Sequence, residues 1–174
     1  MLYDDKQTIH LNINLPIESK HEHYKLLSEQ ALSLFRDERD FLANMANFSA
    51  LIYHNLPDLN WAGFYLLQGD ELVLGPFQGK VACVRITLGK GVCGTTAEKR
   101  QTVRVDNVHE FAGHIACDEA SRSEIVIPLI KEGVLFGVFD MDSPEFNRFD
   151  QADQDGLEIL VSNFIQSTDI PLSD

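Results

Sequence analysis

The chain has 174 residues, of which 44% are apolar and 24% charged, enough for one domain with a sizeable core and unlike a disordered segment. Its formal charge of −13, from 14 Lys and Arg against 27 Asp and Glu, argues against a nucleic-acid partner or an anionic membrane surface, since both require clustered basic residues. The opening Met1 to Lys6 has no basic stretch leading into an apolar one, and no apolar run approaches a membrane span. The expected compartment is the cytosol, where thiols stay reduced.

Residues 1–19 show no firm period and contain Pro16, so they read as an N-terminal arm. Tyr24, Leu27, Ala31 and Leu34 then recur at helical spacing between His21 and Phe35. Asp37 to Asp40 offers an N-cap and an acidic first turn for a second helix, with Phe41, Met45, Phe48 and Ile52 as its stripe and Pro57 closing it. The pattern next turns to strands. Trp61 to Leu67 and Glu71 to Gly75 flank Gln68-Gly69-Asp70 as a hairpin, and a further strand is expected around Val81 to Ile86.

The glycine loop Leu88-Gly89-Lys90-Gly91 precedes a short helix expected over Val92 to Lys99, and Val103 to Val105 reads as a strand. Asn107 to Arg122 is a polar connection bearing His, Cys and acidic residues, with room for one helical turn. Glu124 to Ile130 and Val134 to Asp142 flank Lys131-Glu132-Gly133, a second hairpin signal, with Pro128 tolerated only at an edge or bulge. Phe149 to Gln166 gives a last helix with Leu157, Leu160, Val161 and Phe164 on its apolar face. The fold class is α+β: a single domain over residues 20–168 with a central, mainly antiparallel sheet, helices from both ends packed on it, and a tail over 169–174.

Several residues carry chemical potential. A hairpin centred on Glu132 places Glu124 opposite Asp140, and period-two alternation puts Asp142 on the same face. Three carboxylates on one face repel unless they are protonated or meet a cation. They read either as a solvated strand end or as a seat for an ammonium group or a hard metal ion. Trp61 and Tyr65 share a face with Gly63 between them, which reads either as a core aromatic pair or as a shallow slot for a methyl on sulfur.

Three cysteines without a CxxC are not a structural disulfide framework. Each is either a small buried hydrophobe or a redox thiol. Cys93, at a helix start, has amide donors that favour thiolate, whereas Cys117 is followed by Asp118 and Glu119, with Arg122 as a compensating charge. On residues alone the two are level. His109, His114 and Cys117 invite a zinc reading, but no fourth ligand stands at a fitting distance. Gly89 to Thr96 has no P-loop ending, so a nucleotide is not expected.

Asn60-Trp61-Ala62-Gly63-Phe64-Tyr65, Gly75 to Cys83, Gly89 to Gly94, His114 to Asp118, Ser121 to Pro128 and Asp140 to Pro144 together resemble the GAF-type free methionine-(R)-sulfoxide reductases. The likeness runs from about Leu34 to Phe164. It implies a GAF domain with helices on one side of an antiparallel sheet, often a homodimer, that acts on free methionine sulfoxide without metal or organic cofactor. It further implies Cys117 as the attacking thiol, Cys83 as the resolving cysteine and Cys93 as a third that also forms a disulfide in some members. Glu124, Asp140 and Asp142 would hold the amino acid and assist proton delivery, and Trp61 and Tyr65 would wall the methylsulfinyl group. A sulfenic acid on Cys117 would condense to a disulfide, reset by a thioredoxin-type dithiol. The competing expectation is a ligand-sensing GAF module without catalysis, for which a set of three cysteines has no use.

Overall fold

The computed structural model describes residues 17–111, 113 and 120–171. Most of the expected arm and the end of the expected tail lie outside the described residues, as do His114 and Cys117. Helix α1 (Ile17–Phe35) starts inside the stretch read as an arm. Helix α2 (Phe41–Asn55) is capped by Asp40, whose side chain accepts from the Ala43 amide, and it carries no acid in its first turn. Strands β1 (Trp61–Gln68), β2 (Glu71–Gly79) and β3 (Arg85–Thr87) follow, then α3 (Gly91–Lys99), β4 (Val103–Val105), β5 (Ser123–Lys131), β6 (Val134–Ser143) and α4 (Gln151–Ser167). The six strands form one antiparallel sheet in the order β3-β2-β1-β6-β5-β4.

Two strand boundaries depart from the sequence reading for physical reasons. Strand β2 does not stop at Gly75 but continues through Pro76, because the β1–β2 register skips between Gly63 and Tyr65 and leaves Pro76 in a bulge. The strand expected from Val81 is confined to Arg85–Thr87. The backbone before it leaves the sheet, its Lys80 and Cys83 carbonyls accepting from the Trp61 indole and the Tyr65 hydroxyl instead of from a strand. Pro128 is accommodated because β4 pairs with β5 only from Glu124 to Val126, so no ladder bond is lost on that side.

Helices α1, α2 and α4 pack on one face of the sheet, where Phe48, Phe64, Phe139 and Phe164 meet at centroid distances of 4.7–5.9 Å. Such ring pairs contribute about 0.5–1.5 kcal/mol each beyond burial. Helix α3 packs on the opposite face with Val92, Cys93 and Ala97 against Trp61, Tyr65, Val126 and Val138. The expected one-sided arrangement is therefore only partly right. A second core exists because β1, β5 and β6 are apolar on both faces over part of their length.

Helix α1 is fixed to the start of α4 by a buried ionic network. Lys20 Nζ donates to Asp150 and Asp153 at 2.8 Å each, Tyr24 Oη donates to Asp153 at 2.8 Å, and Arg148 reaches Asp153 at 3.1 Å. Asp150 and Asp153 also form a reciprocal capping box. The phenylalanine core and this network hold β1 and β6 from behind. Their other faces carry the candidate site.

Candidate active site

The β5–β6 hairpin turns at Glu132 and Gly133, both at positive φ (53° and 81°), and a bulge follows between Leu129 and Ile130. Together they place Glu124 opposite Asp142 rather than Asp140, which faces Val126. The expected pairing is thus off by two residues. Because a shift of two preserves side-chain parity, the three carboxyls still share one face.

Strand β1 adds the other wall. Trp61 pairs with Asp142, and Gly63 with Asp140. Of the two readings of the Trp61–Tyr65 pair, the core aromatic one describes the space over Gly63: a Cβ there would lie 2.7 Å from the Trp61 ring and would also meet Phe77. Lacking a side chain, Gly63 lets the indole lie back between Tyr65 (5.7 Å) and Phe77 (5.3 Å), stacked on both. Trp61 and Tyr65 are 4% and 2% exposed, so both belong to the core. Their polar ends hold the segment that carries Cys83, through Trp61 Nε1 to Lys80 O at 3.1 Å and Tyr65 Oη to Cys83 O at 3.0 Å. Trp61→Ala should therefore cost about 3–5 kcal/mol in a urea melt and raise KM as well. A loss of stability with unchanged KM would make the ring core alone.

Cys93 projects from the first turn of α3 into this face, its Sγ 4.0 Å from Glu124 Oε1. One ligand atom each from Cys93, Glu124 and Asp140 lie within 4.8 Å of one another, all three residues buried. Asp142 is half-buried beside them. Burial, then the nearby Asp140 and Asp142, push the Glu124 carboxyl well above the usual range. Burial likewise raises Asp140 to about 7, opposed by hydrogen bonds that Cys93 and Glu124 donate to it. The two carboxyls thus titrate as one pair, both displaced toward the protonated form. Asp140 Oδ1 nonetheless has no hydrogen-bond partner among the described residues. An orphaned carboxylate oxygen at 6% exposure is costly and marks a place where a cation would be stabilised.

The same burial corrects the sequence argument for Cys93. Its amide neighbourhood favours thiolate, but desolvation, with Asp140 and Glu124 alongside, drives the thiol pKa well up. Cys93 is a free, protonated thiol, whereas Cys83 is disulfide-bonded. The Tyr65 hydroxyl is raised by burial and by these same acids. Of the residues in the zinc pattern, His109 sits in a 3-10 turn (Val108–Glu110) with its ring 6.3 Å from that of Phe146, and His114 and Cys117 lie outside the described residues. The Arg122 guanidinium lies 5.0 Å from the Phe146 centroid.

The GAF domain family matches residues 43–164. Free methionine-R-sulfoxide reductase of Escherichia coli (strain K12) is 54% identical over 144 residues, spanning 83% of this chain and 87% of that protein. The chain belongs to the GAF-domain free methionine-R-sulfoxide reductase family. The relative of that name from Saccharomyces cerevisiae (strain ATCC 204508 / S288c) is 46% identical over 144 residues, covering 78% of this chain and 79% of its own. The X-ray structure of free methionine-R-sulfoxide reductase from Neisseria meningitidis in complex with its substrate superposes with a TM-score of 0.83 at 40% identity, covering 91% of this chain and 94% of that one.

Within this GAF domain, sequence reasoning gave no role to Phe77, the third ring of the stack, nor to the Asn60–Ser121 pair. Asn60 Nδ2 donates to Ser121 Oγ at 3.0 Å while its backbone N–H donates to Asp142 O at 3.0 Å, so the returning chain is pinned beside the acids. The glycine at 63 was the signal available for the ring stack. Nothing local announces the Asn60–Ser121 bond, which joins positions 61 residues apart. A groove of about 830 Å³ bordered by Arg100, Pro128, Lys131, Gln154 and Glu158 contains none of these site residues.

Proposed function

We propose that the chain reduces free L-methionine-(R)-sulfoxide to methionine, with Cys117 as the nucleophile. The observation that carries the reading is the buried carboxyl cluster with its orphaned Asp140 oxygen, because a free amino acid brings an ammonium group that a peptide-bound residue lacks. The names of the relatives point the same way. The Cys117 thiolate attacks the sulfoxide sulfur, a proton from the acid cluster neutralises the developing negative charge on oxygen, and the oxygen passes to the Cys117 sulfur as a sulfenic acid. Methionine leaves with the electron pair. Glu124, kept protonated by its surroundings, is the donor best placed for that proton.

The sulfenic acid then condenses with the Cys83 thiol, releasing water and forming a disulfide. The disulfide-bonded state of Cys83 and the free, buried thiol of Cys93 favour Cys83 as the resolving residue. A thioredoxin-type dithiol returns both sulfurs to thiols. The enzyme needs no metal or organic cofactor, works as a homodimer and belongs in a reducing compartment such as the cytosol; no helix among the described residues is long and apolar enough to cross a membrane.

Thioredoxin-coupled NADPH consumption tests the reading directly. Free methionine-(R)-sulfoxide should be consumed, whereas the S epimer and a peptide-bound sulfoxide should give little or no rate. Equal rates on the peptide would refute it. A sensing module would bind free methionine sulfoxide and consume no NADPH.

A further inference from the structure

We propose that Cys93, Glu124 and Asp140 form a binding site for a thiophilic divalent ion of the zinc or cadmium kind, which excludes the amino acid by taking the same donors. The binding stands on geometry; the competition rests on the ammonium reading above.

The three residues come from α3, β5 and β6, so their approach is produced by tertiary packing and not by a local motif. Their ligand atoms lie within 4.8 Å of one another, and Cys93 Sγ is 4.0 Å from Glu124 Oε1. Zinc bonds of about 2.3 Å to sulfur and 2.0 Å to oxygen place tetrahedral sulfur and oxygen ligands about 3.5 Å apart. Small rotamer shifts close that difference. Asp140 Oδ1 supplies an oxygen that no described residue engages.

A divalent ion answers the electrostatic problem of the cluster more fully than an ammonium does. It brings two charges into a buried face that carries three carboxyls. It displaces the thiol proton and the Glu124 proton to solvent, with no change of oxidation state at any sulfur. The sulfur decides which ions are held. Thiolate favours zinc and cadmium, whereas magnesium and calcium seek oxygen alone. Three protein ligands leave one position for water or Asp142, so the site is an open one that exchanges its ion. An ion seated there occupies the ammonium clamp while leaving the Cys83 disulfide untouched.

The test uses the full chain in its disulfide form, in which Cys83 offers no thiol. Cadmium titration should produce a thiolate-to-metal charge-transfer band that saturates at one ion per chain. Cys93→Ser should abolish the band, and Asp140→Asn should weaken binding at least tenfold, the scale on which loss of even an outer partner of a metal ligand is felt. Far-ultraviolet circular dichroism identifies either variant that has failed to fold, and the other then carries the test. Magnesium or calcium at equal concentration should displace nothing. Free methionine, which carries the ammonium but no sulfoxide, should raise the apparent cadmium Kd in proportion to its concentration. A band that survives Cys93→Ser, or no band at all, overturns the site. A Cys93-dependent band that methionine leaves unchanged upholds the site and overturns the ammonium reading.

Discussion

Cys117→Ser is expected to abolish sulfoxide reduction, including the first turnover, which needs no recycling. A serine hydroxyl stays protonated at neutral pH and is a poor nucleophile toward sulfur, so the loss should be on the order of 10³-fold or more. Cys83→Ser should behave differently. It should still release one methionine per site, then stall with thioredoxin, because the sulfenic acid has lost its partner. Cys93 is a weak substitute in this conformation, being 4% exposed and held as a thiol beside Glu124 and Asp140. Dimedone added after a substrate pulse to the Cys83→Ser protein should label Cys117, read by mass spectrometry. One methionine per site from Cys117→Ser would end the assignment.

The second large effect is expected at Glu124. Glu124→Gln keeps the size of the side chain and most of its hydrogen bonding while removing its acid proton and its share of the negative charge that the Glu124–Asp140 pair can present to an ammonium. Binding of the free amino acid should weaken by about 1.5–3 kcal/mol, the scale of a charge-assisted hydrogen bond. If Glu124 is the proton donor, kcat should fall further, by about 10²–10⁴-fold. Thermal stability should be unchanged or higher, since one of three crowded carboxyls is gone. N-acetyl-methionine sulfoxide, which has no ammonium, should be a poor substrate for the wild type, and the Gln variant should discriminate less between it and the free amino acid. Magnesium and calcium should alter neither rate nor melting point. Unchanged kcat/KM on N-acetylation would remove the ammonium clamp from the mechanism.

Both predictions use residues that were visible in the sequence, though for different reasons. Cys117 stands out only through the family motif, since the flanking Asp118 and Glu119 speak against an acidic thiol. The carboxyl face follows from elementary alternation. It survived a mistaken pairing because the turn and the bulge between Leu129 and Ile130 displaced the register by an even number of residues. Had the bulge been absent, Glu124 would have faced away from Asp140 and Asp142.

What the sequence determined by itself was the local and periodic part of the protein. Asp40 caps α2, Leu157 to Phe164 line α4, β4 spans Val103–Val105, and three carboxyls share one face. These follow from capping chemistry and from repeats of 3.6 and two residues, which need no knowledge of distant chain. The tertiary structure alone decided the rest. It seats α3 on the face opposite the other helices, buries the Trp61 ring between Tyr65 and Phe77, and draws the Cys83 segment out of the sheet onto two side chains of β1. It also reversed the reading of Cys93, because helix-start amides act within one turn, while desolvation and two carboxyls arriving from β5 and β6 act together and prevail. Periodicity is a property of neighbours along the chain; burial and charge depend on which distant elements arrive at the same place.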